Sequence, residues 1–429
     1  MNTISVLTDK LSGHNLDSRL LDICRDAERL DHERSRYIGA LKIFADTFGD
    51  KEAVVFSAPG RSEISGNHTD HQHGRVLACS INRDAIAVAS YRDDRFVQVM
   101  SGDSGIIRID TDDLEIDTGD YGTTKSLIRG VLRGIADRGY KTGGFDCYIT
   151  SEVLIGAGLS SSAAFETVIG AVVNGLYNDS RITDVEIAQV GQFAENVFFG
   201  KPCGLMDQMA CSVGSLVYID FEDPKAPVVE RVELDLDKFG MSLCITDTKG
   251  SHSDLTADYA AVPEEMCRVA ELFGKSYLRE VSEDELIAKI ADVRGVCGDR
   301  AVLRALHFFE ENKRVVQIAE AIRKEDRNAF MAGIKASGDS SYKYLQNVYT
   351  THDTRHQNIS VALLMSDLAL GGSGKSGVSR VHGGGFAGTI QAFVDNGAVI
   401  GYKESMDHVF GVGSCSVLKI RRYGGIRVV

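Results

Sequence analysis

Residues 153–164 read VLIGAGLSSSAA. A short apolar run stops at a glycine-rich turn. Three serines follow and open a segment that predicts a helix to about residue 177. Gly156 and Gly158 let the backbone approach an anion with no Cβ in the way. Ser160, Ser161 and Ser162 stand where the first helical N–H groups are free and the positive end of the helix lies. Such a place suits a phosphate. Serines also serve as ordinary helix caps, but a cap takes one, and three in a row after G-x-G ask for more. The ending GKS or GKT of a P-loop is absent, so this is a different kind of phosphate loop.

Outward from that turn, the pattern mixes strands and helices without a steady βαβ alternation, which predicts an α+β fold. Residues 14–48 read as helical, and 54–58 as a strand ending at Pro59-Gly60. Strand-like runs recur at 85–90, 96–100 and 145–150, and a second helix is predicted over 184–199. Strands follow at 216–221 and 242–246. The charged, proline-containing turn 222–226 between them is the expected domain boundary, giving domains 1–224 and 225–429. From there to about 372 the pattern is mostly helical, and strands return at 379–381, 389–394 and 416–420.

The chain's 429 residues exceed what one ordinary core holds, and two domains are expected. Lys and Arg number 47 against 61 Asp and Glu, a formal charge of −14 that disfavours nucleic acid and anionic membranes as partners. Local Arg, Lys and backbone N–H groups can still hold a small anion. Nine cysteines are scattered with no C-x-x-C pair, which points to a reducing, cytoplasmic setting rather than a disulfide framework or zinc ribbon. The opening MNTISVLTDKLSGHN has no apolar core of a signal peptide, and no run is long and apolar enough to predict a membrane span.

Three further segments carry polar groups in unusual concentration. Residues 57–74 read SAPGRSEISGNHTDHQHG and gather Arg61, Glu63, Asn67, His68, Asp70, His71, Gln72 and His73. This density just after a strand suits a hydroxyl-rich ligand. A solvated loop is the plain alternative. A metal site from His68, Asp70, His71 and His73 is a third, and it lacks the i, i+4 histidine pair of a helical zinc site. Residues 200–209 read GKPCGLMDQM and place Asp207 shortly after Gly204. Asp207 could orient a hydroxyl with its charge balanced by Arg61, although a carboxylate there also suits a helix N-terminus. Cys203 reads as a small buried residue. Residues 380–389 read RVHGGGFAGT, whose glycines permit close backbone contact; a tight turn explains them equally.

Together and in this order, the segments resemble the GHMP small-molecule kinases, and within them the galactokinases. The resemblance runs from Gly60-Arg61 through His68-Thr69-Asp70, continues over 156–164, then Cys203-Gly204-Leu205-Met206-Asp207-Gln208, and ends on 383–388. It covers most of the chain from about residue 53. It implies a two-domain GHMP kinase architecture with the active site in the interdomain cleft. It also implies transfer of the ATP γ-phosphate to the anomeric hydroxyl of galactose, assisted by Mg²⁺. The implied catalytic pair is Asp207 and Arg61. Gly156, Gly158, Ser160, Ser161 and Ser162 would bind ATP, and Ser162 and Glu195 would hold Mg²⁺. Asn67, His68, Asp70, Gly204 and Tyr259 would contact the sugar. ATP and a monosaccharide are the expected partners of a monomer. Kinases for a uronic acid, pentose or amino sugar, and a non-enzymatic sugar sensor, are the alternatives; intact serines and Asp207 favour catalysis.

The chain departs from the family at three places. Glu63-Ile64-Ser65-Gly66-Asn67 stands where Asn-Leu-Ile-Gly-Glu is usual, so Asn67 replaces a carboxylate that binds the sugar near C6. A neutral amide there predicts greater tolerance of changes at C6. His71-Gln72 replaces Tyr-Asn, and 124–131 stands where a Trp near adenine is common, in a chain with no Trp.

Overall fold

The structure, a computed structural model, describes residues 2–153, 158–250, 255–372 and 375–429. Among them, β1 (Asn2–Thr3), β2 (Glu52–Ser65), β3 (Arg75–Tyr91), β4 (Phe96–Ser101), β5 (Ile107–Asp110) and β6 (Phe145–Ser151) build a mixed sheet in the order β1-β2-β3-β6-β4-β5. β7 (Leu216–Asp220) pairs with β3, and β8 (Val228–Val232) with β7. β9 (Met241–Asp247), β10 (Gly377–His382), β11 (Thr389–Asp395) and β12 (Cys415–Leu418) form a second, wholly antiparallel sheet in the order β10-β11-β9-β12. β13 (Ile426–Arg427) returns to pair with β2. The α+β reading holds, and the first sheet runs past the expected 224/225 boundary to include β8.

The first sheet is covered on both faces, and the two-residue period of its strands shows how. Val54, Phe56 and Ala58 of β2, Ala85, Ala87 and Ala89 of β3, and Phe145, Cys147 and Ile149 of β6 pack one way. They meet the helices Thr124–Asp137, Ser161–Tyr177 and Asp184–Phe193 through Ile128, Val131, Val168, Val172 and Val190. Ala53, Val55, Ile86, Val88 and Tyr148 point the other way, onto Leu7, Leu20, Tyr37, Leu41 and Phe44 of the first helices. Alternate side chains of a strand face opposite sides, so apolar residues at every position signal a sheet buried twice. The helical reading of 14–48 resolves into helices Asp17–Cys24 and Leu30–Phe48 joined by a short turn. The 184–199 helix ends in a π-helical turn, Ala194–Phe199.

One strand differs from expectation in a way that matters. β2 does not end at Pro59-Gly60 but continues to Ser65, with the ladder to β3 shifting register between Pro59 and Arg61. Proline cannot donate to a ladder, and a bulge at that point lets the strand resume beyond it. The residues from 59 to Ser65, expected to lie beyond the strand, are therefore the buried second half of a long one. Arg61 therefore projects from a paired strand.

Candidate active site

The Ser161–Tyr177 helix starts beside β2 because the Arg61 N–H donates to the Leu159 carbonyl at 3.1 Å. Gly156 lies outside the described residues; Gly158 has φ of +64°. The Gly158 carbonyl accepts a hydrogen bond from Arg61 Nη1. Ser160 precedes the helix in a left-handed conformation and makes no side-chain cap hydrogen bond. Its hydroxyl goes instead to Asp207 Oδ2. The ordinary capping role is thus not what Ser160 does.

Asp207 lies in the first turn of the Met206–Val213 helix. Arg61 Nε donates to Asp207 Oδ1 at 2.6 Å and Nη2 to Oδ2 at 2.7 Å, a bidentate fork. Arg61 is 5% exposed, while the Asp207 side chain keeps a third of its surface. Burial pushes the Asp207 carboxyl up, but the Arg61 charge and the hydrogen bonds from Arg61 and Ser160 outweigh it and hold Asp207 below its usual range. An ionised carboxylate with an open side, fixed by a guanidinium, can accept a hydroxyl proton.

Ser162 Oγ donates to Glu195 Oε1 at 3.2 Å. Glu195 sits in the π-helical turn, and its other oxygen accepts from Gln208 Nε2 at 2.9 Å. A hydroxyl and a carboxylate oxygen side by side are hard ligands of the kind Mg²⁺ takes alongside phosphate oxygens, so these residues fit that ion. Gln208 Nε2 also reaches Glu166 Oε2 at 3.2 Å. Burial first, and the Glu195 charge second, push the Glu166 carboxyl well above its usual value. Gln208 closes the Cys203–Gln208 motif but had no role expected of it, and Glu166 did not stand out in the sequence.

The segment 66–73 turns back beneath the Gly383–Gly385 run between β10 and β11. His68 Nε2 lies 2.9 Å from the Gly384 carbonyl, so it carries the proton, and Nδ1 accepts from His71 Nε2 at 3.3 Å. His73 stacks on Tyr277 instead, with ring centroids 3.7 Å apart. Asp70 lies against Gly204, where a Cβ would fall inside its carboxylate. Burial, then the Asp207 charge, raises the Asp70 carboxyl to about 6. Tyr259 Oη donates to the Gly385 carbonyl at 2.6 Å. Thus Arg61, Asp207, Ser160 and Gly158 form one cluster and Ser162 and Glu195 another, while Asp70 meets Gly204, and His68 and Tyr259 meet the third glycine motif. Ser161 is the first residue of the helix.

Asn67 departs from expectation. It is fully buried, and its Nδ2 donates to the Gly383 carbonyl at 2.7 Å and to Glu63 Oε2 at 3.2 Å. Its Oδ1 accepts from Asn347 Nδ2 at 2.7 Å and Ser341 Oγ at 3.2 Å. The amide is spent on protein partners, so direct contact with a sugar C6 group through Asn67 does not follow from this geometry. The carboxylate of the motif lies at Glu63, in a buried ion pair of 2.6 Å with Arg380. Both residues stood in the quoted motifs, but 317 positions of separation hid their pairing.

Residues 42–91 match the galactokinase galactose-binding signature, and 126–215 match the GHMP kinases N terminal domain. The chain is 30% identical to a galactokinase of Streptomyces coelicolor over 387 residues, covering 88% of this chain and 94% of that protein. It is 31% identical to a galactokinase of Actinobacillus pleuropneumoniae over 368 residues, covering 84% and 90%. The crystal structure of Lactococcus lactis galactokinase complexed with galactose superposes with a TM-score of 0.77 at 25% identity, covering 91% of this chain and 99% of that one. Among the described residues no helix is long and apolar enough to cross a membrane.

Proposed function

The chain belongs to the galactokinase family of GHMP kinases, and on that premise we propose that it transfers the γ-phosphoryl group of ATP to the anomeric hydroxyl of galactose, giving galactose 1-phosphate and ADP. The observation that carries the reading is the Arg61–Asp207 fork at 2.6 and 2.7 Å, with the first serine of the phosphate loop on the same carboxylate. Phosphoryl transfer needs positioning and charge stabilisation more than covalent participation. The sugar is read as lying between Asp70, Gly204, His68 and Tyr259, with its anomeric oxygen toward Asp207. Asp207, held ionised by Arg61, accepts the hydroxyl proton as the oxygen–phosphorus bond forms and the β–γ bridging bond breaks. The N–H groups at the start of the Ser161–Tyr177 helix, with Ser161 and Ser162, hold the phosphates. Held by Ser162 and Glu195, Mg²⁺ would neutralise charge on the phosphate oxygens. The two sheets correspond to two domains that meet at this site, and the protein acts as a cytoplasmic monomer. The intact fork disfavours a non-catalytic sensor.

The test is turnover of purified protein with Mg·ATP against galactose, galacturonate, arabinose and galactosamine. Galactose should give the highest kcat/KM. Asp207→Asn should bind galactose and melt near the wild-type temperature, yet lose on the order of 10³-fold in kcat, as for a group acting in the transition state. Near-normal kcat in Asp207→Asn would remove the assignment.

A further inference from the structure

Lys201 lies in the stretch 200–209 with no role expected of it, and its placement follows from the backbone. Gly200, with φ of +79°, ends the π-helical turn, and the Lys201 N–H donates back to the Glu195 carbonyl at 3.1 Å. That fold-back carries the Lys201 side chain over the Glu195 carboxylate. Its Nζ lies 3.1 Å from Glu195 Oε1, the same oxygen that Ser162 Oγ reaches at 3.2 Å. The second oxygen, Oε2, is tied to Gln208. The ammonium therefore sits on the one carboxylate oxygen left for a cation, next to the serine hydroxyl that would share it. It is not locked there, because the Lys201 side chain is 64% exposed while the Glu195 side chain is 4% exposed. The carboxylate is the fixed partner and the ammonium the movable one. A lysine ammonium is a compact charge on a flexible stem, suited to exchanging one anionic partner for another.

We propose that Lys201 is a phosphate-binding residue: it occupies the cation position on Glu195 in the nucleotide-free protein and passes to the ATP phosphate oxygens when Mg·ATP binds. The inference rests on the phosphoryl-transfer reading above and adds a second movable positive charge to it. The exchange keeps the Glu195 carboxylate paired with a cation throughout, since the singly charged ammonium leaves as the divalent ion arrives. The competing explanation is an exposed ion pair that merely steadies Glu195, an interaction of small worth in water.

The two accounts differ in sign. If Lys201 competes for Glu195, Lys201→Met should tighten Mn²⁺ binding to the nucleotide-free protein by several-fold, measured by electron paramagnetic resonance. The same variant should raise KM for ATP, weaken Mn·ADP binding and lower kcat by roughly 10- to 100-fold, as for loss of one charge on the transferred group. Its KM for galactose should stay within about twofold, and Lys201→Arg should recover part of the turnover. Weaker or unchanged Mn²⁺ binding in Lys201→Met overturns the proposal, as does unchanged affinity for Mn·ADP. Both binding measurements are independent of sugar turnover. A wild type that phosphorylates none of the sugars therefore counts against the kinase reading alone.

Discussion

Two carboxylates in the site are held in opposite directions, a difference that suits the separate roles proposed for them. Asp207 has a guanidinium across both oxygens and stays ionised. Asp70 has no such partner among the described residues, and burial and the charge of Asp207 raise it to about 6. At neutral pH Asp70 is mostly ionised and able to accept from a hydroxyl, as the proposed sugar site requires, and protonation removes that capacity from the proton-bearing oxygen. The kcat/KM for galactose should therefore fall as pH drops through about 6, because the free protein's Asp70 is then neutral. In Asp70→Asn the residual activity should lose this acid limb. A limb of the same midpoint in the variant would assign it to another group.

At the scale of the element, the turn 200–205 before the Met206–Val213 helix depends on a glycine at 204. Its backbone is clamped from the preceding helical segment. The Cys203 N–H donates to Asn196 Oδ1 at 2.7 Å, and the Cys203 carbonyl accepts from Gln192 Nε2 at 3.3 Å. The clamp presses Gly204 onto the Asp70 carboxylate, leaving no room for a Cβ. Gly204→Ala must displace either Asp70 or the turn. The expected result is a rise in KM for galactose of about 10- to 100-fold, the loss of a charge-assisted hydrogen bond or two, with KM for ATP within about twofold. Equal losses for both substrates in steady-state kinetics would show that the turn supports the whole site rather than the sugar side.

At the scale of the molecule, buried polar groups join the first sheet to the helices that pack beside the second. Ser65 Oγ and the Gly66 N–H donate to Glu311 Oε1 at 2.8 and 2.9 Å. Ser337 and Arg314 also donate to Glu311, and His307 Nε2 reaches the Asn67 carbonyl at 2.9 Å. Burial raises the Glu311 carboxyl, but Arg314, His307 and Arg380 outweigh it and bring it to about 2. A folded value below the unfolded one stabilises the protein fully above about 4.5, and that contribution is lost as pH falls toward about 2. The size is on the order of 3 kcal/mol. Denaturant unfolding of the wild type and Glu311→Gln should show a stability gap of that order at pH 6, falling to roughly half or less at pH 3. An equal gap at both pH values would show that Glu311 acts through shape and not charge.

The glycine- and serine-rich turn before the Ser161–Tyr177 helix, the motifs that carry Arg61 and Asp207 and the α+β plan were legible from residue order, because each rests on local rules. Glycine and serine at a strand-to-helix turn, and apolar periods of two or near four, need only near neighbours in the chain. The course of β2 past Pro59 was not legible, since the bulge exists only through pairing with β3. Nor was the fate of Asn67, whose polar character suited a ligand until Gly383, Asn347 and Ser341 closed around it. The Glu63–Arg380 pair and the reach of Lys201 to Glu195 belong to the same class. The sequence by itself determined which chemical groups this protein carries and in what order. Only the tertiary structure decided which of them face one another, because hydrogen bonds between distant segments depend on the packing of two sheets and not on spacing along the chain.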